Sequence, residues 1–325
     1  MARPIDNTLA MLQDAMAAHR DALAREPAAR PPFQFPAPHD RHHELIARLL
    51  IGMEKRAGID VSQSTAEKLL RMFAPLGLKD LEARVAHLDS LPGSDPEWLS
   101  LIESLTVHET YIMRDPLQLE FFAAMLPEMI EEAAAGSRQL RFWSVGCATG
   151  EEAYSIAALV LDALVKAGEA TATDDGIQIP SSWRIEVAGS DISRRALAVA
   201  REGVYQTGPL SSFRAEAAAL LHHFPSNGPD SRAASAALKS IVRFDSFNLV
   251  DEDIPAQPFD AVFCRNVFIY FSERARRHAQ ARLTRAVRAG GLLLLGPTDS
   301  LIAAGAYETL WAPGAVVYRR RAGDD

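Results

Sequence analysis

From Arg138 onward, short apolar runs alternate with segments of helical period, and this constrains the fold more than any other feature of the chain. Leu140 to Val145 is followed by Glu151 to Val165, and Ile185 to Ala188 by Arg194 to Ala200. Ala261 to Cys264 precedes a helical pattern over Ser272 to Ala289, and Leu292 to Leu295 closes the series. Short, mostly apolar runs suit buried strands, and strands alternating with helices imply βαβ units on a mainly parallel sheet. The expected class is therefore α/β, a doubly wound, mainly parallel, Rossmann-like sheet. Ligands on such sheets bind outside the carboxyl ends of the strands, so those ends are where chemistry is expected.

The stretch before this series reads differently. Residues 41–107 are helical in pattern. Leu45, Leu49, Ile51 and Met53 form an apolar stripe that Gly58 ends, and Ser64 with Glu67 resembles a capping box before Leu69, Leu70 and Phe73. Asp80 to Leu88 predicts another helix, and Trp98, Leu101, Ile102 and Leu105 form a last stripe. Residues 1–40 form an extension. Leu9 to Leu23 can make one helix, and Pro27, Pro31, Pro32, Pro36 and Pro38 predict an extended linker. Residues 108–325 are expected to form the α/β domain, with 206–240 as an irregular, Pro- and Ser-rich insertion.

Composition narrows the partners. Of 325 residues, 34 are Lys or Arg and 42 are Asp or Glu, a net charge of -8, which argues against a general nucleic-acid binder. Two cysteines, Cys147 and Cys264, are too few for a disulfide scaffold and read as buried, inert thiols. No apolar run reaches the length of a membrane span, and Met1 to Asp6 lacks a signal-peptide pattern, so a cytoplasmic protein is expected. His39, His42, His43, His222 and His223 are clustered, but no carboxylate or Cys shares a zinc-like spacing with them, and no metal is expected.

The strand ends carry specific residues. The first leads into Gly146-Cys-Ala-Thr-Gly150 and then Glu151, Glu152 and a helix. Glycines there let backbone amides approach a ligand. The spacing is not G-x-G-x-x-G, and two carboxylates would repel a phosphate. They suit a ligand with ribose hydroxyls and a cationic or zwitterionic part, or they simply favour the helix N-terminus. The second strand ends at Asp191, placed either to accept from ribose hydroxyls or to cap the next helix. Asn248 and Leu249 follow a third short strand. Arg265 and Asn266 end a fourth, with Tyr270 just beyond.

Four ordered segments then resemble the CheR family, the chemotaxis-receptor glutamate methyltransferases. They are Arg141-Phe-Trp-Ser-Val-Gly-Cys-Ala-Thr-Gly-Glu-Glu-Ala-Tyr-Ser155, Phe259-Asp-Ala-Val-Phe-Cys-Arg-Asn-Val-Phe-Ile-Tyr-Phe271, Glu109-Thr-Tyr-Ile-Met-Arg-Asp-Pro116, and Gly189-Ser-Asp-Ile-Ser193 with Ala200-Arg-Glu-Gly-Val-Tyr205. The resemblance spans roughly residues 42 to 325. It implies a class I methyltransferase fold that uses S-adenosylmethionine, releases S-adenosylhomocysteine, and methylates glutamates of a chemoreceptor or similar helical signalling protein. It also implies that Thr110 and Arg114 approach the methionine end of the cofactor, and that Gly146, Gly150 and Glu152 act from the loop. Asp191 would hold the ribose, Asn248 and Leu249 would flank adenine, and Arg265 and Asn266 would complete the pocket. Arg114 and Tyr270 would stand beside the transferred methyl. A monomer that neither inserts into membranes nor binds nucleic acid is expected.

The chain departs from the family pattern in several places. His108 stands where the family has Asn, Ile112 and Met113 replace two aromatics, and Pro297-Thr298-Asp299 replaces a His-Ser-Glu run. These changes are expected at the pocket rim, and His108, the altered 297–299 segment and the 40-residue extension motivate a second reading, a catalytically impaired cofactor-binding or interaction module. In the second N-terminal helical segment, Lys68, Arg71, Lys79 and Arg84 are offset by Glu67, Asp80 and Glu82, so a basic docking face is not expected there. A basic helix is instead expected late in the chain, with Arg274, Arg276, Arg277, Arg282, Arg285 and Arg288 on its outer face.

Overall fold

The computed structural model describes residues 41–106, 109–174, 176–208, 211–302 and 304–323. The extension 1–40 and His108 lie outside the described residues.

Four helices come first: α1 (Arg41–Ala57), α2 (Gln63–Phe73), α3 (Leu78–Ser90) and α4 (Pro96–Glu103). Their apolar stripes meet in a shared core of Leu45, Leu49, Leu69, Leu81, Val85, Leu88, Trp98 and Ile102, all almost fully buried. Trp98 is its keystone. Its indole Nε1 donates to the Leu88 carbonyl at 2.6 Å, Arg56 lies over its ring, and Gly52 leaves it room, since a Cβ there would come within 2.8 Å of the ring. Two expectations are corrected. Ile51 is 59% exposed and falls outside the core stripe, because i+2 is the wrong step on a helix. The cap of α2 is Ser62, whose hydroxyl accepts from Thr65 N, rather than Ser64.

The seven-stranded sheet has the order β10-β11-β9-β8-β1-β4-β7. Its strands are β1 (Gln139–Val145), β4 (Arg184–Asp191), β7 (Val242–Ser246), β8 (Phe259–Cys264), β9 (Val287–Leu295), β10 (Tyr307–Ala312) and β11 (Ala315–Arg320). The first five pair in parallel, and β10 and β11 form an antiparallel hairpin at one edge. Helices α5 (Pro116–Ala135) and α6 (Glu151–Lys166) pack beside β1, while α7 (Arg194–Glu202), α8 (Ala236–Ile241) and α9 (Glu273–Ala286) complete the connections. The expected doubly wound, mainly parallel sheet is what forms. Strand order turns at β1, with β4 on one side and β8 on the other, so the crevice opens above β1.

The insertion is more regular than its composition suggests. β5 (Val204–Gln206) and β6 (Ser231–Ala233) make a short antiparallel ribbon, and a 3-10 segment, Ala215–His223, lies between them. A second hairpin, β2 (Thr171–Thr173) with β3 (Gly176–Gln178), was not legible in the sequence. The late basic helix is also shorter than its pattern. It stops at Ala286, and Arg288 belongs to β9. Arg282 is buried and Arg276 half-buried, so only Arg274, Arg277 and Arg285 face outward. Among the described residues no helix is long and apolar enough to cross a membrane.

Candidate functional site

A cavity of about 930 Å³ of open space, partly continuous with solvent, lies at the carboxyl ends of β1, β4 and β8. Its walls bring together Thr110, Arg114, Gly146, Glu152, Asp191, Asn248, Leu249, Arg265, Asn266 and Tyr270, ten of the sequence-predicted residues.

The loop after β1 is shaped by backbone. Gly146 has φ +73°, and a Cβ there would collide with the side chain of Val267. Gly150 is a correction. It is absent from the cavity wall, and a Cβ on it would meet Ala200 and Phe244, so it serves the seating of α6. The two carboxylates that follow diverge. Glu151 turns away and is buried, accepting from Thr149 Oγ1 at 2.6 Å and from Ser212 Oγ at 2.7 Å. Burial pushes its carboxyl above the usual range, while those two hydrogen bonds oppose the rise. Glu152 faces the cavity and accepts from Ser144 Oγ at 2.7 Å and from Arg265 Nη1 at 3.0 Å.

Asp191 is held by backbone amides. One carboxylate oxygen accepts from Ala148 N and the other from Ser193 N, both at 2.8 Å. The helix cap is Ser193, whose hydroxyl accepts from Ala196 N, so Asp191 is not the cap. Carboxylate oxygens accept more than one hydrogen bond, so an aspartate fixed in this way can still receive ribose hydroxyls.

Arg265 has a larger part than pocket completion. It is buried, it reaches Glu152 through Nη1, and its Nη2 donates to the Arg114 carbonyl and to Asp115 Oδ2 at 3.1 Å. This clasp closes the turn around Arg114, where Met113 and Asp115 both adopt positive φ. Non-glycine residues hold that conformation only when their surroundings enforce it. Arg114 itself donates to the Glu109 carbonyl. Asn266 also has positive φ, at the end of β8.

Asn248 is corrected in part. It lines the cavity, but its amide Nδ2 donates to the Arg56 carbonyl at 2.7 Å and its Oδ1 accepts from Val250 N at 3.0 Å. Its side chain therefore binds helix α1 and its own turn, leaving Leu249 as the apolar face beside it. Two further expectations fail. Ile112 and Met113 are buried in the main core, and Pro297, Thr298 and Asp299 are absent from the wall, so neither departure lies at the pocket rim. Cys147 and Cys264 are fully buried, which pushes both thiols well up and leaves them unreactive.

Sequence reasoning missed the other half of the wall. Ala57, Ile59, Ile102 and Thr106 come from the helical segment. They are docked by main chain: Asp60 N donates to Tyr270 O at 2.7 Å, Ser272 N donates to Gly58 O at 2.8 Å, and Ile59 bridges Phe271. Gly58, at φ +71°, makes the exit from α1 that this requires.

A doubly wound sheet with acidic residues and a glycine turn at its switch point suits a ligand with ribose hydroxyls and a cationic part, and the family match assigns the class, an S-adenosylmethionine-dependent methyltransferase. The family model described as "CheR methyltransferase, SAM binding domain" matches residues 108–312, and the chain belongs to that family. Chemotaxis protein methyltransferase 1 of Pseudomonas aeruginosa is 30% identical over 254 residues, 77% of this chain and 87% of that protein. The chemotaxis protein methyltransferase of Salmonella typhimurium is 30% identical over 270 residues, 80% of this chain and 84% of that protein. A probable biofilm formation methyltransferase, WspC of Pseudomonas aeruginosa, is 30% identical over 275 residues, 82% of this chain and 60% of that one.

The cavity's donor set fits S-adenosylmethionine. Carboxylates suit ribose and an ammonium, apolar Leu249, Phe247 and Ile192 suit adenine, and the turn at Gly146 lets backbone come close.

Proposed function

We propose that this protein transfers a methyl group to glutamate side chains of a chemoreceptor or similar helical signalling protein, acting as a cytoplasmic monomer. The observation that carries this reading is the placement of Arg114 and Tyr270 in one cavity with Glu152 and Asp191.

When bound, S-adenosylmethionine supplies an electrophilic methyl on a sulfonium. The protein's own task is to bind, orient and dehydrate. A glutamate acceptor is already ionised at neutral pH, with an ordinary pKa of about 4.3, so no general base is required. Arg114 would hold one acceptor oxygen in a charge-assisted hydrogen bond, leaving the other aimed at the methyl. Tyr270 would orient the acceptor beside it. Thr110 would meet the methionine end, Asp191 the ribose, and Leu249 the adenine. Glu152 would meet the cofactor's polar groups while Arg265 keeps it in place. The alignment of two reactants and the exclusion of water are then the main sources of rate. The displaced 112–113 and 297–299 departures leave this wall unaltered, which supports an active enzyme over the impaired module.

Calorimetry with S-adenosylmethionine and S-adenosylhomocysteine, followed by methyl-transfer labelling of a receptor-containing membrane fraction, tests the reading. Binding in the micromolar range and base-labile labelling that Arg114→Ala reduces by about 100-fold or more are expected. No binding of either compound, or labelling that survives Arg114→Ala, would overturn it.

A further inference from the structure

The histidine pair that no motif explains lies outside the methyl-transfer cavity. His222 and His223 end the 3-10 segment of the insertion, and Asp162 stands on α6 opposite them. His222 Nε2 is 3.0 Å and His223 Nε2 2.9 Å from the same atom, Asp162 Oδ1, and the two rings lie 4.1 Å apart at 39°. One ligand atom from each of the three residues falls within 4.8 Å of the others. Asp162 lies about sixty positions from the pair, so no local spacing points to this carboxylate.

We propose that Asp162, His222 and His223 form a binding site for a divalent transition-metal ion, with Zn²⁺ as the best match. Two imidazoles, borderline nitrogen donors, beside a single carboxylate favour such an ion over Ca²⁺ or Mg²⁺, which take oxygen ligands. Zinc bonds to N and O of roughly 2.0–2.2 Å at a tetrahedral centre place neighbouring donors about 3.3 Å apart. The two Asp162–imidazole separations need to open by only a few tenths of an ångström, and the third pair, between the two rings, already lies within 4.8 Å. In the metal-free form each imidazole donates its Nε2–H to Asp162, and binding frees the Nε2 lone pair by moving that proton to Nδ1 of the same ring or to solvent. His222 is more than half exposed and gives the ion a way in, with a fourth position for water, whereas His223 is 3% exposed and holds the geometry. The bound ion joins the insertion to α6. The same insertion reaches the first turn of α6 through Ser212 and Glu151, so the site ties both ends of one helix to one segment. Stabilisation by mass action follows from binding to the folded form alone.

The test uses the full chain after exhaustive chelation. Zn²⁺ is titrated by calorimetry and Co²⁺ by visible absorption, in the wild type, His222→Ala and Asp162→Asn. The chain has nine histidines, and the first variant keeps the other eight, so the difference between titrations isolates this site. The expected result is one equivalent bound at about 10 µM or tighter in the wild type, weakened at least about tenfold in both variants. A zinc-dependent rise in thermal midpoint should appear in the wild type and vanish in the variants. The exposed side chain of His222 makes its removal compatible with folding, and the metal-free melts report that directly. Superimposable titrations of wild type and His222→Ala, or no zinc bound below about 100 µM in the wild type, would overturn the proposal. A purely hydrogen-bonded Asp–His cluster predicts that outcome.

Discussion

The two walls of the cavity are built in opposite ways. The strand-end wall is held by buried charge and constrained backbone: Asp191 on two amides, Arg265 on a carbonyl and two carboxylates, Asn266 in left-handed conformation. The helical wall presents apolar edges, Ala57, Ile59 and Ile102, and is docked by a few main-chain hydrogen bonds together with the side chains of Asn248 and Ser272. The difference teaches that one wall is fixed by its own buried network, while the other depends on how the helices are seated. Electrostatics differ too. Glu151, Glu152 and Asp191 look like three negative charges at neighbouring strand ends, yet Glu151 is turned away and Glu152 is matched by Arg265.

The sharpest way to break the comparison is Arg265→Met. It would leave Glu152 and Asp115 without their buried cation, and loss of one partner from such a network costs about 3–5 kcal/mol. Denaturant unfolding should show that loss, and the double variant with Glu152→Gln should lose less than the sum of the singles. A loss below about 1 kcal/mol would mean that the strand-end wall does not rest on Arg265.

Asp299 offers the next effect, behind the same wall. It is 9% exposed, its Oδ2 has no hydrogen-bond partner, and burial pushes its carboxyl up to about 6, with Arg276 opposing. A raised carboxyl favours the neutral form in the folded state. Stability from this group is therefore complete below its ordinary value of 3.8, falls as pH rises to about 6, and is level above that. The span corresponds to up to about 3 kcal/mol. Asp299→Asn should remove it, so the variant gains on the wild type between pH 4 and 6. Parallel stability curves across that interval would refute the assignment.

Legibility in the sequence followed the same divide. The parallel sheet could be read because β1, β4, β8 and β9 each carry a short apolar stretch ended by a glycine or polar turn, and most site residues follow strand ends, whereas Thr110 and Arg114 could be placed only through the family resemblance. The helical wall could not. Ile59 looks like an ordinary apolar residue after a helix, and only the pairing of residues 58–60 with 270–272 makes it part of the site. Glu151 and Glu152 are indistinguishable by type and neighbours, and the 100° step between them on α6 decides which one meets the cavity. Asn248 was placed correctly, but its amide could not be assigned, since its partner Arg56 is distant in the chain.

Asn248 therefore gives the smallest and most discriminating test of the helical wall. Its amide joins the loop after β7 to the last turn of α1, where the terminal carbonyls of a helix need partners. Asn248→Ala removes that donor and the acceptor for Val250 N, and net losses of about 1 kcal/mol per neutral hydrogen bond are usual. If the helices form a separately seated cover, the loss should appear as weaker S-adenosylhomocysteine binding, by about three- to tenfold, with the unfolding midpoint nearly unchanged. Hydrogen exchange should quicken at residues 58–60 and not at β1 or β4. Equal loosening of both walls would show that they form one cooperative unit, and the distinction between a half fixed by its own network and a docked half would then fail.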